Sequence, residues 1–169
     1  MNDYTTWLQE ARDTMNITLM ELDCESLIPQ MSISFNNRFT SRMGDANFRL
    51  KRVRLSAPLW PVAGKEERFQ TVVHEVCHIV ARYMHWPRNI KSHGWEWKDT
   101  MKRAGVPVER CHNVDRSSVK QVPRKKHRTV CDCREYMMGS VRYRRMVSGL
   151  RYYTCNYCGA RFRIPKEGE

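Results

Sequence analysis

One stretch, Glu66–Met84, limits what this chain can fold into more than any other part of it. Phe69, Val72, Val73, Val76, Ile79, Val80 and Tyr83 recur every three or four residues. That is the period of an amphipathic helix with one face in a core. Pro87 stops it. His74, Glu75 and His78 interrupt the apolar pattern as H-E-x-x-H. Residues i and i+4 share a helix face about 6 Å apart along the axis. Two imidazoles so placed can both reach one zinc ion at about 2.0–2.1 Å. Glu75 stands beside them and can address a water on that ion without ligating it. Two surface histidines on a packed helix would be the plainer reading, but it leaves the glutamate between them unexplained.

A catalytic zinc needs a third protein ligand and an open fourth position. His85, His93, His112 and His127 remain. His85 lies seven residues past His78, about 10 Å further along a straight helix, which is too far. His93 is better placed. After Pro87 the chain can turn back and start a second helix with Ser92 as N-cap, ending at Ala104 before Gly105 and Pro107. His93 then falls in the first turn, with Trp97 and Met101 on the same stripe, and Gly94 permits a close backbone approach to the metal. Cys77 faces another direction and reads as a small packed hydrophobe, as do Cys24 and Cys111. A Cys111 thiol reaching in to inhibit the zinc is the minor alternative.

The rest of the chain suggests an α+β fold. Tyr4, Trp7, Leu8, Ala11 and Met15 predict an N-terminal helix continuing through Leu19 and Leu22. Met31–Phe35 reads as a short strand, residues 36–47 as a turn between strands, and Phe48–Ser56 as a strand near a sheet edge because it is rich in Arg and Lys. Residues 116–128 are basic and lack hydrophobic periodicity, so they read as a linker or loop. At 169 residues the chain suits one domain plus a small appendage. No apolar run is long enough to span a membrane, and the start lacks a secretory signal, so an intracellular protein is expected.

Charge is polarised. Residues 1–85 hold 10 basic and 10 acidic side chains, and residues 86–169 hold 20 and 8, so the whole +12 sits in the second half. That asymmetry favours a polyanion, most often nucleic acid. The same half carries Cys131-x-Cys133 and Cys155-x-x-Cys158-Gly159. Four thiolates can close a structural zinc site. A three-cysteine site completed by His127 or Cys111, or a redox pair, are the alternatives. Arg142, Tyr143, Arg144, Arg145, Arg151, Tyr152, Tyr153, Arg161 and Arg163 alternate cations with rings, a pattern suited to single-stranded or distorted DNA.

Taken together, His74-Glu75-x-x-His78, His93-Gly94-x-x-Trp97-x-x-x-Met101, Arg42-Met43-Gly44-Asp45-Ala46 and the two cysteine pairs resemble the SprT-like metalloproteases, which include the Spartan DNA–protein crosslink proteases. The resemblance runs from about residue 30 to 164. It implies a small zincin-like metalloprotease domain over residues 1–115, built from an N-terminal helix, a short antiparallel sheet, the HExxH helix and a following helix. A basic linker (116–128) and a zinc-ribbon DNA-binding subdomain (129–169) would follow. It implies one catalytic zinc on His74, His78 and His93 with Glu75 as general base, and one structural zinc on the four cysteines. Partners would be DNA and a protein bound or crosslinked to it, as in repair of DNA damage; no membrane and no oligomer are indicated. Tyr83, Arg110 and His112 are candidate oxyanion donors, and Phe48–Ser56 is a candidate for pairing with an extended substrate. The alternatives are a catalytically inactive nucleic-acid-binding zinc protein acting as regulator or scaffold, and a general peptidase.

Overall fold

The structure, a computed structural model, describes residues 3–108, 114, 115, 117, 119 and 123–166. Helix α1 spans Asp3–Glu21 and buries Ala11, Met15 and Leu19. A 3-10 turn, Glu25–Gln30, leads into β1 (Ser32–Asn36). Strands β2 (Gly44–Asn47) and β3 (Arg52–Ser56) follow, then α2 (Lys65–Met84) and α3 (Trp95–Arg103). The middle of the α2 stripe read from the sequence faces inward, with Val72, Val73, Val76, Ile79 and Val80 buried in one core with Leu19, Leu22, Leu27, Val53, Leu55 and Trp97, whereas Phe69 and Tyr83 at its two ends are exposed. Each fully buried side chain of this kind contributes about 1.5–3 kcal/mol.

The sheet departs from expectation in two ways. Its order is β1-β3-β2, with β1 parallel and β2 antiparallel to β3, so it is mixed rather than antiparallel. The strand within Phe48–Ser56 begins only at Arg52 and lies in the centre, not near an edge. Residues 48–51 form the turn of the β2–β3 hairpin, with Lys51 at φ +45° and its N–H donating to the Phe48 carbonyl (3.1 Å). Strand β2 itself falls inside the segment read as a turn. The basic residues misled because Arg54 has a cross-strand partner: its Nε and Nη2 donate to Asp45 at 2.8 and 2.6 Å. Val53 and Leu55, on the other side of the pleat, are fully buried.

The N-cap of helix α3 falls two residues later than Ser92. Gly94 is its N-cap, so His93 precedes the helix instead of lying in its first turn. A Cβ on Gly94 would lie 2.6 Å from Glu96 Oε2 and 3.2 Å from the Lys91 carbonyl. The missing side chain therefore makes room for the chain's own turn. The C-terminus ends as expected: Gly105, at φ +68°, and Val106 donate back to Lys102 and Met101 in a Schellman arrangement.

The chain divides into two compact units, Met1–Gln121 and Val122–Glu169. In the second, β4 (Lys126–Val130) pairs antiparallel with β5 (Glu135–Gly139) and is followed by α4 (Ser140–Val147). Strand β4 starts inside the segment read as a linker, and α4 has no counterpart in the sequence reading. Bridges Val130–Arg163 and Thr154–Arg161 tie the end of the chain to this hairpin. Among the described residues no helix is long and apolar enough to cross a membrane.

Candidate metal centre

Helix α2 delivers His74 and His78 one turn apart, and the segment before α3 brings His93 to them. The Nε2 atoms of His78 and His93 lie 3.3 and 3.4 Å from Nε2 of His74. Two donors on a tetrahedral zinc, each about 2.0–2.1 Å from the metal, stand about 3.3–3.4 Å apart. The three nitrogens thus fit one ion. Buried Trp97 sets their orientation: its ring lies 4.8 Å from His74, 5.4 Å from His78 and 4.6 Å from His93, centroid to centroid. Its indole N–H points to the His74 carbonyl at 3.5 Å. Burial, helped by His93 and opposed by a hydrogen bond to the Ser92 main chain, pushes the His78 pKa down to about 4. A metal ligand has to be a neutral imidazole, and this environment supplies one.

Glu75 is only 7% exposed. Burial, with the Asp45 charge adding and the Arg42 charge opposing, pushes its pKa up to about 8. It lies against Gly44 of β2: a Cβ there would come within 2.9 Å of Glu75 Cγ and 3.2 Å of the Arg54 carbonyl. Asp45, next to that glycine, also pairs with Arg42 at 2.9 Å. This acid–guanidinium cluster bears on the glutamate through its charges, a relation not visible in the residue string alone. A cleft of about 540 Å³ opens over the site, lined among others by Arg42, Gly44, Phe48, Arg82 and Asn89. Tyr83 is not among its lining residues. Arg110, Cys111 and His112 lie outside the described residues. His85 packs edge-on against Trp95 at 5.3 Å. Cys77 is fully buried, and burial pushes its thiol up to about 12.

In the second unit Cys131, Cys133, Cys155 and Cys158 form one group, their sulfurs all within 4.8 Å of one another. Cys133 Sγ lies 3.6 Å from Cys131 and 3.7 Å from Cys155. Sulfurs about 2.3 Å from a tetrahedral zinc stand about 3.8 Å apart, so this set also fits a metal. The two turns are built for it. The Cys131 N–H donates to the Arg134 carbonyl, and Gly159, at φ +73°, lets its N–H return to the Cys155 carbonyl at 2.9 Å. Main-chain N–H groups of Cys158 and Tyr157 pull the Cys155 thiol down to about 6, toward the thiolate a metal requires. His127 is not in this group; it stacks on Tyr143 at 4.2 Å.

Six of the nine basic and aromatic residues named from the sequence line two separate places. Arg142, Tyr152 and Tyr153 line a cavity of about 620 Å³ together with Tyr136, Tyr157 and Phe162. Arg142 lies over the Tyr153 ring, Arg161 over Tyr152, and Arg134 over Tyr157 at 3.4 Å. Tyr143, Arg144 and Arg145 instead line a groove on α4 with Val141, Val147 and Leu150. Arg151 donates its N–H to the Arg145 carbonyl, and Arg163 exchanges main-chain bonds with Val130. Phe162, which continues the same alternation in the sequence, joins those at the first cavity; Arg134, Tyr136 and Tyr157 were missed. The alternation of cations and rings extends through them in the sequence, but only the fold gathers them around one cavity.

The chain is thus an α+β protein with two groups of side chains that can each hold a metal ion. Its residues 7–117 match the SprT-like family. Over 136 residues it is 31% identical to the proteins named Protein SprT of Pseudomonas paraeruginosa and of Pseudomonas aeruginosa, spanning 78% of this chain and 79% of each relative. Over 131 residues it is 30% identical to Protein SprT of Pseudomonas putida, spanning 77% of both. The chain belongs to the SprT-like family.

Proposed function

We propose that the chain is a zinc-dependent endopeptidase of zincin type that acts on proteins bound or crosslinked to DNA, as in DNA–protein crosslink repair. One observation carries this reading: three imidazole nitrogens at tetrahedral spacing beside a buried glutamate, at the floor of an open cleft. His74, His78 and His93 would hold the catalytic zinc, and Cys131, Cys133, Cys155 and Cys158 a structural one in a zinc ribbon. The catalytic ion, when bound, polarises a carbonyl, acidifies water and favours the ionised form of Glu75. Glu75 takes a proton from the attacking water on a carboxylate oxygen and returns it to the amide nitrogen as the C–N bond breaks.

Strand β2 is the edge of the sheet that lines the cleft. The Met43 carbonyl accepts from Ser56 N–H, so Asp45 and Asn47 make the bonds to β3, and the main-chain groups of Gly44 and Ala46 face the free edge. Strand addition, expected of Phe48–Ser56, is therefore transferred to β2, because β3 has a neighbour on each side. Main-chain pairing of this kind accepts many sequences. In the second unit the tyrosines and Phe162 offer ring faces to unstacked bases, and the arginines offer charge to phosphates. An intracellular, DNA-associated location follows from that partner.

The test compares wild type with Glu75→Gln on a protein crosslinked to single-stranded DNA. Loss of the carboxylate base should reduce cleavage by about 10²–10⁴-fold, while zinc content and DNA affinity hold. Failure of the wild type to cleave with metals loaded and DNA present would overturn the peptidase reading in favour of a scaffold.

A further inference from the structure

We propose that Phe48 and Arg82, which line one end of the cleft, and Trp86, which adjoins it by stacking on Phe48, form a side-chain subsite that takes an aromatic or long aliphatic residue of the protein substrate, three or four positions from the scissile bond. The proposal rests on the peptidase reading above. Phe48 follows the end of β2 and Trp86 follows the end of α2. Their rings stack with centroids 5.7 Å apart and planes 28° apart. Trp86 remains 63% exposed, a large apolar surface left in water beside a cleft that holds three histidines. The Arg82 guanidinium lies 5.9 Å from the Phe48 centroid and 5.7 Å from that of Trp86.

The chemistry of the occupant follows from what Arg82 already does. Its Nη1 donates to the Arg88 carbonyl (2.7 Å) and to Asn89 Oδ1 (3.2 Å). These bonds use Nη1 and hold the guanidinium beside the two rings, so its charge is held at a fixed place while the ring faces, Trp86 above all, stay open to an occupant. An apolar or aromatic side chain gains most from such a surface. Phe48, Arg82 and Asn89 line the same cleft as His74, Glu75 and His78. That continuity, with the free edge of β2 running between them, favours a peptide over a nucleobase.

Spacing sets the position. From Glu75 to Arg82 the helix advances about 10 Å, and an extended chain covers that in about three residues. Along β2, Phe48 lies four positions beyond Gly44, which faces Glu75. Both routes lead to the third or fourth residue from the bond being cut.

The zinc-loaded wild type is given a peptide library, its cleavage sites are mapped by mass spectrometry, and matched peptides carrying Phe or Ala at the mapped position are titrated into Glu75→Gln protein. The cleavage profile should be enriched in aromatic or long aliphatic residues three or four positions from the cut. The ratio of Phe-peptide to Ala-peptide affinity should fall about tenfold in Trp86→Ala, and Trp86→Phe should recover it. Cleavage with no such preference sinks the subsite and leaves the peptidase reading standing. Absence of cleavage of any peptide or DNA-bound protein sinks the peptidase reading and the subsite with it. An unchanged affinity ratio in Trp86→Ala, with oligothymidine binding lost instead, overturns the proposal in favour of a nucleic-acid platform.

Discussion

Gly44 has an ordinary negative φ, so backbone strain does not require glycine there. The close approach of Glu75 does: a Cβ would lie 2.9 Å from Glu75 Cγ and 3.2 Å from the Arg54 carbonyl. Gly44→Ala should displace the glutamate while leaving the imidazoles in place. An ångström of misplacement costs on the order of 10²-fold in rate. Peptidase kcat/KM should fall by about that much with zinc content unchanged, and parallel zinc analysis and kinetics check it. An equal loss of zinc would move the defect to the ligands. Trp97 acts on the ligands themselves, because all three histidines pack on its ring and its N–H serves the His74 carbonyl. Trp97→Phe keeps most of the packing and removes the donor. Zinc affinity should weaken by about 10–100-fold, read by competition with a chelating dye. His74, Glu75 and His78 were legible in the sequence because a helix fixes the i, i+4 geometry. Gly44 carried a motif but no reason, since the reason is a contact between two elements.

Strand β2 is short, and its free edge alternates. Gly44 and Ala46 turn their main-chain groups outward, while Asp45 and Asn47 bond to β3. Proline at 46 removes an outward N–H without taking a bond from the sheet. Ala46→Pro should therefore raise KM for extended peptides several-fold and shift Tm by only a few degrees, about 1 kcal/mol in a unit of this size. A large fall in Tm would mean that the N–H faces β3, and substrate pairing at this edge would lose its support. Here the sequence was hardest to read. Arginine and lysine in Phe48–Ser56 suggested an edge, but Asp45 neutralises Arg54 across the strands and Val53 and Leu55 enter the core. Charge within a strand says nothing about its neighbours until the opposing strand is known. Parallel pairing of β1 with β3 was equally hidden, because it joins segments 20 residues apart. The extent of α2 was read to within a residue, but Phe69 and Tyr83, at the ends of its apolar stripe, lie outside the core. By contrast, Ser-Val-Arg-Tyr-Arg-Arg-Met-Val of α4 buries none of its side chains, so it left no core-facing pattern to find.

Stability and charge are divided unequally between the two units. Residues 122–169 carry 12 Lys and Arg against 4 acids; residues 1–121 carry 18 against 14. If the second unit holds a single strand through about five phosphates, affinity should fall by about 10²-fold between 50 and 200 mM salt. Fluorescence anisotropy with a labelled oligonucleotide measures that slope, and a flat response would remove the phosphate contacts. Core size is the stronger asymmetry. The first unit buries side chains from three helices and a sheet, Leu19, Leu27, Val53, Val76, Ile79 and Trp97 among them. In the second unit the buried residues described are Thr129, Val130, Cys131, Met138 and Cys155, and two of those five are cysteines of the cluster. A unit of 48 residues with so little apolar burial needs a staple, and a metal on four thiolates would supply one. Chelation should therefore act differently on the two units. Amides of residues 126–166 should lose protection together, whereas those of α1 and α2 keep theirs, because their stability comes from apolar burial. Hydrogen exchange followed by mass spectrometry, before and after removal of metal, reads both units in one sample. Cys155→Ser should reproduce the loss in the second unit while leaving metal on the histidines, which separates unfolding of the cysteine unit from loss of the ion beside Glu75. If both units lose protection in this variant, they do not fold independently, and the cysteine cluster supports the histidine site as well as its own unit.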